Sequence, residues 1–220
     1  DRSSAASDVY KRQGETPAYQ MTPVVTKNNP NYEPAWAKLS FDERVAEAKK
    51  LLNEAGYNEN NPLEFELLYN TSENHKKVAV AAQSLWQDAL GFVKVNLTNQ
   101  EWKAYLAARR NHEHQMARAS WCGDYNDPAT FLNVMRTNGS GNYGNYASAA
   151  YDDLLKSSLR TKTVDDRVAV YRDLEALLDK DNPNVWVYHQ VNTRVVKPYV
   201  VNYSTKDPIG NWQARYWELK

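Results

Sequence analysis

The sequence predicts an α/β fold with parallel strands, and three features carry that prediction. Leu63, Phe65, Leu67 and Tyr69 alternate with Glu64 and Glu66, the period of a strand with one apolar face. Val93, Val95 and Leu97 repeat the alternation further on. Between the two segments, Val78, Ala81, Ala82, Leu85 and Ala89 fall at helical spacing over 74–90, and Gly91 supplies a stop. Strand, helix and strand in so short a stretch make a βαβ unit, whose strands lie parallel with a right-handed crossover. In a doubly wound sheet of this kind, ligands bind at the carboxyl ends of the strands, here Tyr69 to Ser72 and Thr98 to Gln100.

The remaining elements follow in chain order. Residues 1–13, polar and without a period, read as a foreign or disordered leader outside the fold. From Gly14 to Pro34 the chain is rich in Pro, Asn and Thr and reads as an extended connecting segment. Ser40 and Glu43 form a capping box for a helix at 41–55, with Phe41, Val45, Ala48, Leu51, Leu52 and Ala55 as its apolar positions and Gly56 beyond its end. Helical signals recur at 100–111, 128–137, 149–160 and 164–180, and 115–121 reads as a strand. After Pro183 the texture changes to β-branched and aromatic runs, Val185 to Tyr188 and Val195-Val196, broken by Pro198 and Pro208. These predict strands and turns that leave the helical part.

Composition narrows the function. The 220 residues are 42% hydrophobic and 25% charged, enough for a sizeable core. Lys plus Arg and Asp plus Glu number 27 each and are interspersed, so no basic field invites nucleic acid or anionic lipid. The 7 Trp and 15 Tyr against 4 Phe favour rings with a polar tip, which suit amphipathic binding surfaces as well as cores. A lone Cys122 predicts neither an internal disulfide nor a zinc site. No apolar run reaches the roughly 20 residues of a membrane span, and no secretion signal opens the chain, so either the protein is cytosolic or its true N-terminus is missing.

Catalytic signatures are missing: there is no GxSxG, P-loop, GxGxxG after a strand, or HExxH. His112 and His114 straddle Glu113 in a helix-to-strand loop and read as solvated loop residues or as part of a metal site. Asp152-Asp153 and Asp165-Asp166 lie near helix starts, where acids favour the dipole. The most informative stretch is Trp121 to Pro128, between a predicted strand and a predicted helix. It sets Asp124 among aromatic rings beside Gly123, which suits an ammonium group and equally suits a turn. An enzymatic reading would be a hydrolase pairing Asp124 with His189, or a metal at His112 and His114.

The blocks LLYNTSENHKK (67–77), NQEWKAYLAARR (99–110), MARASWCGDYNDPATFLN (116–133), LLDKDNPNVWVYHQVNTRVVKPYV (177–200) and the KDP of 206–208 resemble, in order and nearly in spacing, the C-terminal part of the periplasmic oligopeptide-binding proteins, over about 15–220. The resemblance implies a type II-like periplasmic binding protein, with 14–188 as one lobe of a two-lobed clamshell and 189–220 as a return segment into a first lobe mostly absent from this chain. It implies no enzyme and no cofactor, but a periplasmic, monomeric substrate-binding component that carries short peptides to the inner-membrane permease of an ABC importer. Murein tripeptide, dipeptide, nickel or haem is the alternative cargo. Among its implied ligand residues, Asp124 takes the α-ammonium, Trp102 and Trp121 line side-chain pockets, and Arg109, Arg118 and His75 answer the carboxylate. Asn142, in the loop 138–147, is a further implied contact. Relatives pair the cysteine of this segment with one far upstream that this chain lacks, so Cys122 is expected as a free thiol.

Overall fold

The computed structural model describes residues 14–192, 194–204 and 214–220. The predicted leader at 1–13 and the KDP of 206–208 lie outside the described residues.

The βαβ unit forms as its periodicity predicts. Strand β1 (Thr16–Pro17) and helix α1 (Phe41–Glu54) precede it, and β2 (Leu63–Asn70), α2 (Glu73–Leu90) and β3 (Val93–Gln100) compose it. The two long strands pair in parallel from Leu63 opposite Val93 to Asn70 opposite Gln100. The Ser40–Glu43 capping box starts α1, the Ser72 hydroxyl caps α2, and Gly91 ends α2 at φ +79°, a left-handed conformation that favours glycine. Helix α3 (Trp102–Arg110) follows, and strand β4 (Met116–Ala117) joins the other edge of β2, giving the order β3-β2-β4.

Because β2 is central, its C-terminal half is covered on both faces, which alternation had assigned to one. Leu67 and Tyr69 pack with Ala79, Val93 and Val95 on the α2 side, whereas Leu68 packs with Tyr105 and Ala108 of α3. The strand read at 115–121 is only Met116–Ala117 long, and its pairing with Leu67 and Leu68 is extended by one bond, the Arg118 N–H donating to the Leu68 carbonyl at 2.8 Å.

A second apolar core is built from helices. Helix α4 (Ala129–Leu132), a 3-10 turn at Asn133–Met135, α5 (Ala149–Ser158) and α6 (Val164–Asp181) gather Leu132, Met135, Tyr151, Leu155, Tyr171, Leu174 and Leu178. The helix predicted at 128–137 is therefore short: Arg136 leaves at ψ 140°, and the Arg136 carbonyl lies where a side chain on Gly139 would fall, so the chain turns out of the helix.

Residues 14–34 are held onto this second core. The buried Glu175 carboxylate of α6 accepts from the Met21 N–H (2.9 Å), the Thr22 N–H (2.9 Å) and the Thr22 hydroxyl (2.6 Å). Asp179, one turn on, accepts from the Tyr32 hydroxyl and the Trp36 indole. Strand β1 pairs antiparallel with β5 (Tyr188–His189), so the chain comes onto this core and leaves it at one place. Of the predicted run Val185 to Tyr188, only Tyr188 is paired as strand; Val195-Val196 is not, and the late pair is β6 (Val200–Val201) with β7 (Glu218–Leu219). No helix among the described residues is long and apolar enough to cross a membrane.

Candidate functional site at the carboxyl ends of the strands

The side chains singled out in the sequence fall into two groups. The first surrounds Tyr105. Trp102, Tyr105 and Arg109 occupy one face of α3 at i, i+3 and i+7. Trp102, half exposed, stacks on Tyr105 with ring centroids 5.7 Å apart. The Tyr105 hydroxyl donates to the carbonyl of Arg118, which fixes the chain as it leaves β4. The Arg109 guanidinium stands over the Tyr105 ring at 5.3 Å and the Tyr143 ring at 4.3 Å. His75, in the first turn of α2, has its Nδ1 2.8 Å from Asn70 Oδ1 at the end of β2.

The second group is held by α4 and the loop 137–147. The Trp121 indole N–H donates to the Thr130 carbonyl at 3.1 Å, and the Asp124 N–H donates to the Thr130 hydroxyl at 2.9 Å. Two glycines allow this packing: a Cβ on Gly123 would lie 2.9 Å from the Phe131 ring, and one on Gly141 would lie 3.1 Å from the Trp121 ring. Asn142 is buried, and its carboxamide holds the loop, donating to the carbonyls of Arg136 and Tyr146 and accepting from the Tyr146 N–H. Tyr143 joins the groups, because its ring meets Arg109 while its backbone belongs to the loop that packs on Trp121.

Two acids stand close in this segment and have different work. Asp127 caps the α4 turn, accepting from the Ala129 N–H at 3.0 Å and the Tyr171 hydroxyl at 2.7 Å. Burial and the bond to Asp127 push the Tyr171 hydroxyl above its ordinary pKa. Asp124 lies in the same bend, but the side-chain hydrogen bond at the start of α4 is made by Asp127. The Asp124 carboxylate is exposed and has no hydrogen-bond or ion-pair partner among the described residues. Partial desolvation, expected for an ammonium site, is not present in the chain alone and would require a covering surface.

Three comparisons bear on this geometry. The sequence model of the family described as bacterial extracellular solute-binding proteins, family 5 Middle, matches residues 1–143. The periplasmic oligopeptide-binding protein OppA of Salmonella typhimurium is 48% identical over 201 residues, 91% of this chain and 37% of its own length. The chain belongs to this family. Among solved structures, Haemophilus influenzae OppA in complex with RPPGFSPFR superposes with a TM-score of 0.88 at 41% identity, covering 97% of this chain and 43% of that one. The Escherichia coli murein tripeptide binding protein MppA gives a TM-score of 0.90 at 38% identity over 98% of this chain and 42% of that one. The α/β fold is therefore that of the periplasmic peptide-binding proteins, and the chain spans less than half the length of these family 5 relatives.

The histidine pair holds no recognisable metal centre: among the described residues no group of three His, Cys, Asp or Glu side chains is placed to ligate an ion. His112 instead brings its Nδ1 to 3.0 Å from the Tyr143 carbonyl. Burial holds the His114 pKa below its ordinary value, partly offset by a backbone hydrogen bond at Ala108. Asp152 and the 165–166 pair occupy first helical turns, and Asp152 accepts from the Thr137 N–H. Cys122 is an exposed free thiol. Sequence reasoning missed Tyr105 and Tyr143; the i, i+3 and i+7 spacing of Trp102, Tyr105 and Arg109 was the available signal for the first, and Tyr143 carried none.

Proposed function

We propose that the chain is one ligand-binding lobe, residues 14–188, with the return segment 189–220, of a periplasmic binding protein that captures short oligopeptides and delivers them to the inner-membrane permease of an ABC importer. The observation that carries this reading is the free Asp124 carboxylate on a segment clamped by Thr130 and Phe131, in a chain 48% identical to a periplasmic oligopeptide-binding protein. In this reading Asp124 takes the peptide α-ammonium, a charge-assisted contact between a free carboxylate and a cation. Trp102 and Trp121 present exposed ring faces to side chains. Arg109, Arg118 and His75 supply the positive end, and Asn142 acts through the loop it holds. No step of bond breaking is assigned to any of these groups.

The protein would act as a monomer, with the first lobe covering the exposed face of Asp124. Closure of that lobe supplies the desolvation that strengthens the ion pair, so tight capture belongs to the two-lobed protein. Murein tripeptide is a second reading, supported by a fold match to MppA as close as that to OppA.

The test is calorimetric titration of the full-length protein carrying this chain with lysine-containing tri- and tetrapeptides and their N-acetylated forms. Free peptides are expected to bind and acetylated ones to bind at least about tenfold more weakly, a loss that Asp124→Asn should largely abolish as a difference. Equal loss for both forms in Asp124→Asn would sink the ammonium assignment. A response to murein tripeptide alone would favour the second reading.

A further inference from the structure

We propose that Tyr143, with Tyr105 opposite it, is a positioning residue that keeps Arg109 an uncancelled cation for a ligand carboxylate. The proposal rests on the peptide-binding reading above and adds to it what holds the cation in place.

The observation is the environment of one guanidinium. Arg109 is partly buried, its Nε is shut off from solvent, and that nitrogen has no hydrogen-bond partner among the described residues. A guanidinium so placed ordinarily meets a carboxylate, which satisfies its N–H fork and cancels its charge. The Lys50–Glu47 and Lys156–Asp153 ion pairs do not involve Arg109, which has no ion-pair partner among the described residues. Two tyrosine rings take the carboxylate's place, at 4.3 Å and 5.3 Å from the guanidinium carbon. A ring quadrupole stabilises a cation without neutralising it, and leaves the outer N–H groups of the fork unspent. The charge is thereby kept in position and kept available.

Both rings are themselves anchored. Tyr105 is fully buried and tied by its hydroxyl to the Arg118 carbonyl. Tyr143 is fixed through its backbone: its carbonyl meets His112 Nδ1 at 3.0 Å, and its N–H donates to the Gly141 carbonyl at 3.0 Å. His112 reaches this position from just beyond α3, at φ +57°. Without the Tyr143 ring, Arg109 keeps one π face and can swing away from the site. A ligand that offers a carboxylate would feel that loss, whereas one that offers a neutral end would not.

The test compares Tyr143→Ala and Tyr143→Phe in the full-length protein, titrated with one lysine-containing tripeptide as its free acid and as its C-terminal amide. Tyr143→Ala is expected to weaken the acid about tenfold and the amide less than about twofold, with Tyr143→Phe close to wild type because the ring is retained. A ligand-independent arm follows the Arg109 δ protons by NMR in the 220-residue chain. Ring currents should shift them further upfield in wild type and Tyr143→Phe than in Tyr143→Ala, which keeps only the Tyr105 ring. Equal losses for acid and amide, a Phe variant as impaired as the Ala variant, or δ protons unmoved in Tyr143→Ala would each overturn the clamp. Wild type binding acid and amide equally would overturn the carboxylate role of Arg109 itself, and the NMR arm would show whether the ring geometry had nonetheless been correct.

Discussion

Glu175 shows how a single buried charge organises residues far from it in sequence. Only 1% exposed, it receives two backbone N–H groups and a hydroxyl from Met21 and Thr22. Burial pushes its pKa up while those three bonds pull it down, and burial prevails. Removing it leaves two buried donors of Thr22 and the partly buried Met21 N–H with no acceptor. Glu175→Ala should therefore cost about 3 kcal/mol, read as a lower midpoint in urea unfolding of the chain; a loss below about 0.5 kcal/mol would show that water replaces the carboxylate. Asp124 makes the contrasting case, a carboxylate with nothing to hold within the described residues and hence available to a ligand.

Among the elements, the β1–β5 pair carries a titratable weak point. His189 on β5 brings its Nε2 to 3.2 Å from the Gln20 carbonyl, so that nitrogen carries the proton, and its buried Nδ1 has no partner among the described residues. Burial holds its pKa below the ordinary 6.5. Between that lowered value and 6.5 the unfolded chain binds a proton that the folded chain refuses. Stability from this group is complete above about 6.5 and is lost as pH falls through the folded value. The urea midpoint should fall between about pH 7.5 and about pH 5 by more in wild type than in His189→Gln, which keeps a donor for Gln20 and cannot titrate there. Equal falls would clear His189. Helix α1 is the other informative element: its capping box forms as read, yet none of its residues is fully buried and Leu51 is exposed. Caps and periodicity fixed its existence, and the packing around it is loose.

Across the molecule, the connection from β4 to α4 links the part of the chain that holds the sheet to the part that holds the helical core, and the candidate side chains come from both. Trp102, Arg109, Arg118 and His75 belong to the sheet side, while Trp121, Asp124 and Asn142 belong to the helical side. Such a junction lets each group be positioned by a rigid support of its own. The segment after β5 is different in kind, with Val195 94% exposed and Leu219 77% exposed. Leu219 lies on a paired strand of two residues and Val195 on unpaired chain, and large apolar side chains so exposed suit burial against a further surface. Limited proteolysis of the 220-residue chain, followed by mass spectrometry, should cut first within 194–204 and leave the helices and the β2–β3–β4 sheet in the resistant product. First cuts within α2 or α6 would contradict that order.

What the sequence determined by itself was the set of elements and their local stops: the βαβ unit, the capping box at Ser40, the left-handed Gly91, and the helices near 149–160 and 164–180. These depend on residues three or four apart, or on alternation, and so are written in adjacent positions. The blocks at 67–77, 99–110 and 116–133 also carried the family. The tertiary structure alone decided that Leu68 faces a different core from Leu67 and Tyr69, because burial of both strand faces depends on what packs beside β2. It alone placed the Tyr171 hydroxyl on Asp127, from another helix, and left the Asp124 carboxylate without a partner among the described residues. It alone joined Thr22 to Glu175 and Tyr143 to Arg109. Those contacts bring together side chains distant in the chain, and no local pattern encodes them: their energy comes from excluding water between surfaces that meet only once the chain has folded.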